Sequence, residues 1–350
     1  MQPIKPIRIG KKLVGDKYNC YVIAEIGSNF NRSLKQAKKL IELAKQSGAD
    51  AAKFQSFKTE ELLSKNGFNK KMAFQSKWKK TVWEVYQEAE LPREWHAELN
   101  NHAKKIGIDF FTSPWDFEAV DILDKLNVPA YKIGSGDITY HEILKYIASK
   151  KKPILLATGA STMNEIGEAI KVIKKTGNEK IILLQSVTQY PSPIKDANLE
   201  VLNTMRDKFQ LNVGYSDHSP GDLVALASVA LGACVIEKHF TINPNSNGPD
   251  HPHSMDPKSF RNMVSKIRFI ETAKGNGLKK VESSENETRI VQRRGIWTIN
   301  PVKKGEYFTR ENIKALRPVN GISASKYEEI IGKKAKKNYK SFEPIKFSNF

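Results

Sequence analysis

The chain has 350 residues, 39% of them hydrophobic and 27% charged, a balance that excludes a disordered protein and leaves room for a large domain plus a small one. No apolar run approaches the roughly 18 residues of a membrane helix, and the opening MQPIKPIRIGKKLVG has no apolar core after its charges, so neither a membrane span nor a secretory signal is expected. The formal charge is +19, but the lysines are spread along the chain and their densest runs, Lys150-Lys151-Lys152 and GKKAKKNYK, lack interleaved aromatics; an attraction for anionic metabolites is expected, not a nucleic-acid partner.

From about residue 20 to 275, short β-branched runs alternate with helical patterns. The strand candidates in chain order are YVIAEIG, AAKFQSF, DFFTSP, AYKIGS, ILLATG, IILLQSV, NVGYSD and CVIEKHF. Each is mostly apolar, as strands covered outside by helices are. Ala37, Leu40, Ile41 and Leu43-Ala44 show the helical spacing that follows the first of them. Such a repeating array predicts an α/β fold, a (β/α)₈ TIM barrel; an open doubly wound sheet would carry a glycine-rich phosphate fingerprint after its first strand, and none is there. Cys20 and Cys234 lie in apolar runs and are expected to be buried reduced thiols in a cytoplasmic protein.

Residues 59–90 interrupt the array with a polar insertion holding Trp78, Trp83 and Tyr86, expected to be a lid or a subunit contact; a helix should begin near Pro92. The barrel is expected over 1–280, a polar linker containing VESSENET over 281–290, and a small β-rich module over 291–350. A module of roughly 60 residues is near the lower limit for folding alone.

In a barrel, reactive side chains gather at the carboxyl ends of strands. Those positions supply Glu25, the pair Lys53 and Gln55 on one strand face, Thr112-Ser113, Lys132 and Ser135, Thr158, then Ser186, Thr188 and Tyr190, Ser216-Asp217-His218 and Glu237-Lys238-His239. His218 and His239 end adjacent strands, so a barrel would bring both imidazoles to one mouth. That pair suits Mn, Fe, Co, Ni or Zn and leaves positions open for substrate and water. Lys53 and Lys132, inside apolar strands, need a partner or an anion. Structural ion pairs, a phosphate and carboxylate cradle, and a Schiff-base lysine all fit their spacing.

The stretches IAEIGSNFN, GADAAKFQSF, FFTSPWD, YKIGSGD, TGAST, QYPSP, GYSDHS, GACVIEKHFT and GPDHPHSMDP together resemble the sialic acid (N-acetylneuraminate) synthase family. RRGIW and RPVNG continue the match, collinear over nearly the whole chain, into a module similar to that family's antifreeze-like (SAF) domain. The resemblance implies condensation of phosphoenolpyruvate with an N-acyl amino-sugar aldehyde, N-acetylmannosamine or a 2,4-diacetamido hexose, with release of phosphate. The second acceptor would make this a legionaminic or pseudaminic acid synthase. It also implies a divalent metal, Mn²⁺ with Mg²⁺ or Co²⁺ as substitutes, on His218 and His239, and Glu25 at the reacting centre. Lys53, Thr112, Lys132, Ser135, Thr158, Thr188 and Ser216 would hold phosphoenolpyruvate. Gln55, Tyr190, Glu237 and Asp250 would contact the sugar, and Arg317 would reach the acyl group in the other subunit of a domain-swapped homodimer. The first loop, Asn29-Phe30-Asn31-Arg32, departs from the family's Asn-His-Asn-Gly, and Thr158 and Thr188 stand where Ser and Asn are common. A Schiff-base aldolase on Lys132, and a sugar-binding barrel without turnover, remain as other readings.

Overall fold

Every predicted strand forms, and the computed structural model, which describes residues 4–68, 75 and 78–349, divides into two compact units, Met1–Gly275 and Asn276–Phe350. Residues 69–74, 76 and 77, part of the polar insertion, lie outside the described residues. The chain begins with an antiparallel hairpin, β1 (Ile7–Ile9) and β2 (Lys12–Val14). Gly10 turns it at φ 53°, where a side chain would also run into the Asp109 carboxylate.

The barrel strands follow as β3 (Tyr21–Glu25), β4 (Ala51–Ser56), β5 (Asp109–Pro114), β6 (Tyr131–Ile133), β7 (Ile154–Ala157), β8 (Ile181–Ser186), β9 (Asn212–Asp217) and β10 (Val235–His239). All their ladders are parallel, in the order β5-β4-β3-β10-β9-β8-β7-β6, and β5 and β6 lie side by side, so the ring is nearly closed. Helices cover the outside through apolar stripes. In Leu34–Gln46, capped by Ser33, the buried residues are Ala37, Leu40, Ile41 and Ala44. The lysine run at the foot of the barrel is engaged locally: Lys150 pairs with Asp121 at 2.9 Å, and Lys152 donates to Val128 O at 3.0 Å.

One part differs from expectation. The insertion is not all loop, since helices Thr59–Leu62 and Val82–Ala89 form within it. The second starts at a capping box between Thr81 and Glu84. The first loop is held by core packing: Phe30 is buried against Phe54 and Trp95, each with ring centroids 6.1 Å away. Asn31 and Arg32 then take left-handed φ values of 47° and 53°.

Behind β4 and β5 lies a buried polar cluster. Ser56 Oγ stands 2.6 Å from His96 Nε2 and 2.7 Å from Thr112 Oγ1, while His96 Nδ1 donates to the Arg93 carbonyl at 3.0 Å. Burial, helped by Arg93, brings the His96 imidazole from 6.5 down to about 4. The folded chain therefore binds fewer protons than the unfolded one between those values, and stability falls as pH drops through that window. Acidification should cost up to about 3 kcal/mol from this group, and in urea melts between pH 4 and 7 a His96→Asn variant should show a smaller pH slope than the parent.

The second unit has its own core of Ile296, Phe308, Ile313, Ile322, Tyr339 and Ile345 around an antiparallel pair, β11 (Gly295–Thr298) and β12 (Ile313–Leu316). A short helix, Asn286–Gln292, precedes it, and one helical turn spans Tyr327–Ile330.

Candidate active site

Strand register places the charged residues in one layer. Glu25 stands opposite Lys53 on β4 and opposite His239 on β10, and Glu237 stands opposite Ser216 on β9. Side chains alternate along a strand, so Glu237 and His239 point inward while Lys238 between them turns out to Asp217 at 2.6 Å. The inward set lines a cavity of about 360 Å³, enough for small metabolites.

Lys53 Nζ reaches Glu25 at 2.5 Å and Ser113 Oγ at 3.3 Å, and lies 3.8 Å from Glu237. Lys132 Nζ donates to Glu237 at 2.9 Å, and Ser216 Oγ donates to the same carboxylate at 2.9 Å. Gln55 Nε2 donates to Glu25 at 2.7 Å. Two buried cations thus balance two buried anions. Burial pushes the Glu25 carboxyl up; Lys53 opposes this, Glu237 adds to it, and the net direction is upward. Burial acts on Glu237 too, but Lys132 and Lys53 outweigh it and hold that carboxyl low. Two carboxylates driven apart in this way can divide acid–base and electrostatic roles between them.

Beside this quartet stand the histidines. His218 Nδ1 donates to the Val187 carbonyl at 2.8 Å, which leaves the Nε2 lone pair free. Burial holds His218 down to about 4, and His239 well below its ordinary value, so both rings are neutral. Their centroids are 5.5 Å apart. The potential ligand atoms of His239, Asp250 and His253 all lie within 4.8 Å of one another. Buried, neutral and converging nitrogens beside a carboxylate fit a divalent ion of the transition series.

Of the residues singled out in the sequence, Glu25, Lys53, Gln55, Lys132, Ser135, Thr188, Tyr190, Ser216, His218, Glu237, His239 and Asp250 line this cavity. Thr112 and Thr158 do not. The Thr112 hydroxyl belongs to the Ser56–His96 cluster, and Thr158 Oγ1 donates to Leu184 O at 3.1 Å. Their neighbours Ser113 and Ala157 face the cavity instead. Arg317 is exposed in the second unit. Sequence reasoning named the Thr112-Ser113 pair but gave the substrate contact to Thr112, and it passed over His253 and Trp115 as lining residues, although His253 sits in the quoted GPDHPHSMDP stretch. One wall is apolar: Phe57, Leu62, Leu63, Trp78, Val85 and Tyr86, most of them from the insertion.

The chain matches the NeuB family over residues 40–279 and the SAF domain over residues 293–350. It is 44% identical over 330 residues to the N,N'-diacetyllegionaminic acid synthase of Campylobacter jejuni, spanning 93% of this chain and 98% of that one. It is 37% identical over 326 residues to the pseudaminic acid synthase of Helicobacter pylori, spanning 93% and 96%. The crystal structure of N-acetylneuraminic acid (sialic acid) synthetase from Leptospira borgpetersenii matches with a TM-score of 0.75 at 30% identity, covering 82% of this chain and 96% of that one.

Proposed function

The chain belongs to the NeuB family and carries a SAF domain, which makes it a nonulosonic (sialic-type) acid synthase, and we propose that it joins phosphoenolpyruvate to a 2,4-diacetamido hexose with release of phosphate. The observation that carries the reaction is a single cavity that brings together Lys53, Lys132, Glu25 and Glu237 with the neutral imidazoles of His218 and His239. A trianionic substrate can take the ammonium groups of Lys53 and Lys132 from their carboxylate partners, with Ser113, Ser135 and Ser216 as hydroxyl donors. Fixing the phosphate and carboxylate ends in this way would aim the enol carbon at the aldehyde.

Loss of the Lys53 contact raises the proton affinity of Glu25 further. A protonated Glu25 can give its proton to the aldehyde oxygen as the carbon–carbon bond forms. As a carboxylate it can then take one from the water that adds to the former enol carbon before phosphate leaves. A divalent ion on His218 and His239, in our reading Mn²⁺, would supply Lewis-acid polarisation of the aldehyde. Gln55, Tyr190, Glu237 and Asp250 would face the sugar.

The acceptor choice draws on the 44% identity, over nearly the full length of both chains, to a protein named N,N'-diacetyllegionaminic acid synthase. The apolar wall supplied by the insertion would suit an acetamido methyl. Among N-acetylmannosamine, its 6-phosphate and 2,4-diacetamido hexoses, we expect kcat/KM to favour a diacetamido sugar by about 100-fold or more. Equal or reversed preference refutes the assignment.

The proposal includes a domain-swapped homodimer with Arg317 acting on the partner's acyl group. Mixing His218→Ala with Arg317→Ala under subunit exchange should restore part of the activity, and no rescue despite exchange refutes it. Among the described residues no helix is long and apolar enough to cross a membrane. The buried free thiols of Cys20 and Cys234 support a reducing compartment, in our reading the cytoplasm.

A further inference from the structure

We propose that His253 is a third protein ligand of the divalent ion, joining the barrel histidines from the loop after β10 with Asp250 Oδ1 beside it. The proposal rests on the reading that this cavity holds a metal.

Two nitrogens at the cavity, His239 Nδ1 and His253 Nε2, are buried without a hydrogen-bond partner. Orphaned polar atoms in a buried site are costly, and a cation between them removes the cost. The two rings stand at 73° with centroids 4.6 Å apart, the side of Tyr190 packing against both. Asp250 is divided in its duties. Its Oδ2 accepts from the Ser28 N–H and hydroxyl, both at 2.9 Å, while Oδ1 lies 3.9 Å from His253 Nε2. That gap is too long for a hydrogen bond.

The neighbouring histidine shows the contrast. His251 Nδ1 lies 2.6 Å from Thr241 Oγ1 and its Nε2 lies 3.0 Å from Asn31 Oδ1, so both of its nitrogens are occupied. These bonds, with Ser254 Oγ donating to Asp250 O at 2.6 Å and receiving Asn29 Nδ2 at 2.9 Å, hold the loop in place. Gly27 completes the arrangement: it sits at φ 52°, and any side chain there would collide with Asp250 Oδ2. The loop is therefore shaped to present one imidazole and one carboxylate oxygen toward His239. A third imidazole also biases the site toward Mn²⁺, Co²⁺ or Zn²⁺ and away from Mg²⁺.

The test is Co²⁺ titration of the chelator-stripped full-length protein, followed by visible absorption, for the parent, His218→Ala, His253→Ala and His253→Gln. We expect both His253 variants to bind Co²⁺ at least about 10-fold more weakly than the parent and to change the shape of the absorption bands. Using two variants guards against one misfolding, and circular dichroism verifies each. Parent-like affinity and bands in a folded His253 variant, with Co²⁺ lost in His218→Ala, overturn the third ligand and leave the two-histidine site standing. No Co²⁺ binding by the folded parent overturns the metal reading itself.

Discussion

Replacing His218 with alanine is expected to lower the condensation rate by about three orders of magnitude, because a Lewis-acid ion supplies several kcal/mol of charge stabilisation and each 1.36 kcal/mol is tenfold in rate. Its Nε2 lone pair is set by the Nδ1 bond to the Val187 carbonyl, which fixes the ring just after β9. Stability should change little by comparison, since the lost ring leaves a space open to the cavity. The check is phosphate release from phosphoenolpyruvate with saturating Mn²⁺, alongside a thermal melt. A variant with parental turnover would remove His218 from the mechanism.

Lys132→Met is expected to be costly in both respects. Lys132 is the hydrogen-bonded cation of Glu237, and the carboxylate is 4% exposed. Removing one partner of a buried pair leaves the other charge uncompensated, a loss of about 3–5 kcal/mol. Lys53 at 3.8 Å from Glu237 softens that penalty without replacing the hydrogen bond. Activity should fall at least about 100-fold, because the anionic substrate loses one of two ammonium groups. The double variant Lys132→Met/Glu237→Gln separates the two effects. Urea melts should show much of the stability regained, since no unpaired charge remains, while the activity stays low. A double variant no more stable than Lys132→Met would mean that packing, not charge, holds this layer.

Much of the barrel could be read from the chain because each strand is a buried apolar run between turn signals. The same property hid the strand phase. Phe110, Phe111, Thr112 and Ser113 are all buried, so hydrophobicity does not mark which side chains face the cavity and which face the helices. A slip of one residue reverses the faces. That is how Thr112 and Thr158 came to be expected in a cavity that Ser113 and Ala157 line. Lys53 and Gln55 were placed without ambiguity because burying an ammonium in the outer apolar layer is far costlier than facing it into a polar mouth.

Loops gave less. His253 follows no periodic pattern, and only the three-dimensional return of its loop to β10 brings it beside His239. The helix Val82–Ala89 did leave a signal, the Thr81–Glu84 capping box spacing within a stretch otherwise dominated by polar composition. Phe30 shows what a motif departure does not reveal: the sequence marks the changed residue beside the site, and only the fold shows its ring packed into the core against Phe54 and Trp95.

The most direct test of the central claim is phosphate release from phosphoenolpyruvate by Mn²⁺-loaded protein, with and without a 2,4-diacetamido hexose and with and without chelator. One phosphate per sugar acid formed is expected, only when acceptor and metal are both present. Release that ignores the acceptor or survives complete metal removal, or no release by folded, metal-loaded protein with any acceptor of the panel, would contradict it.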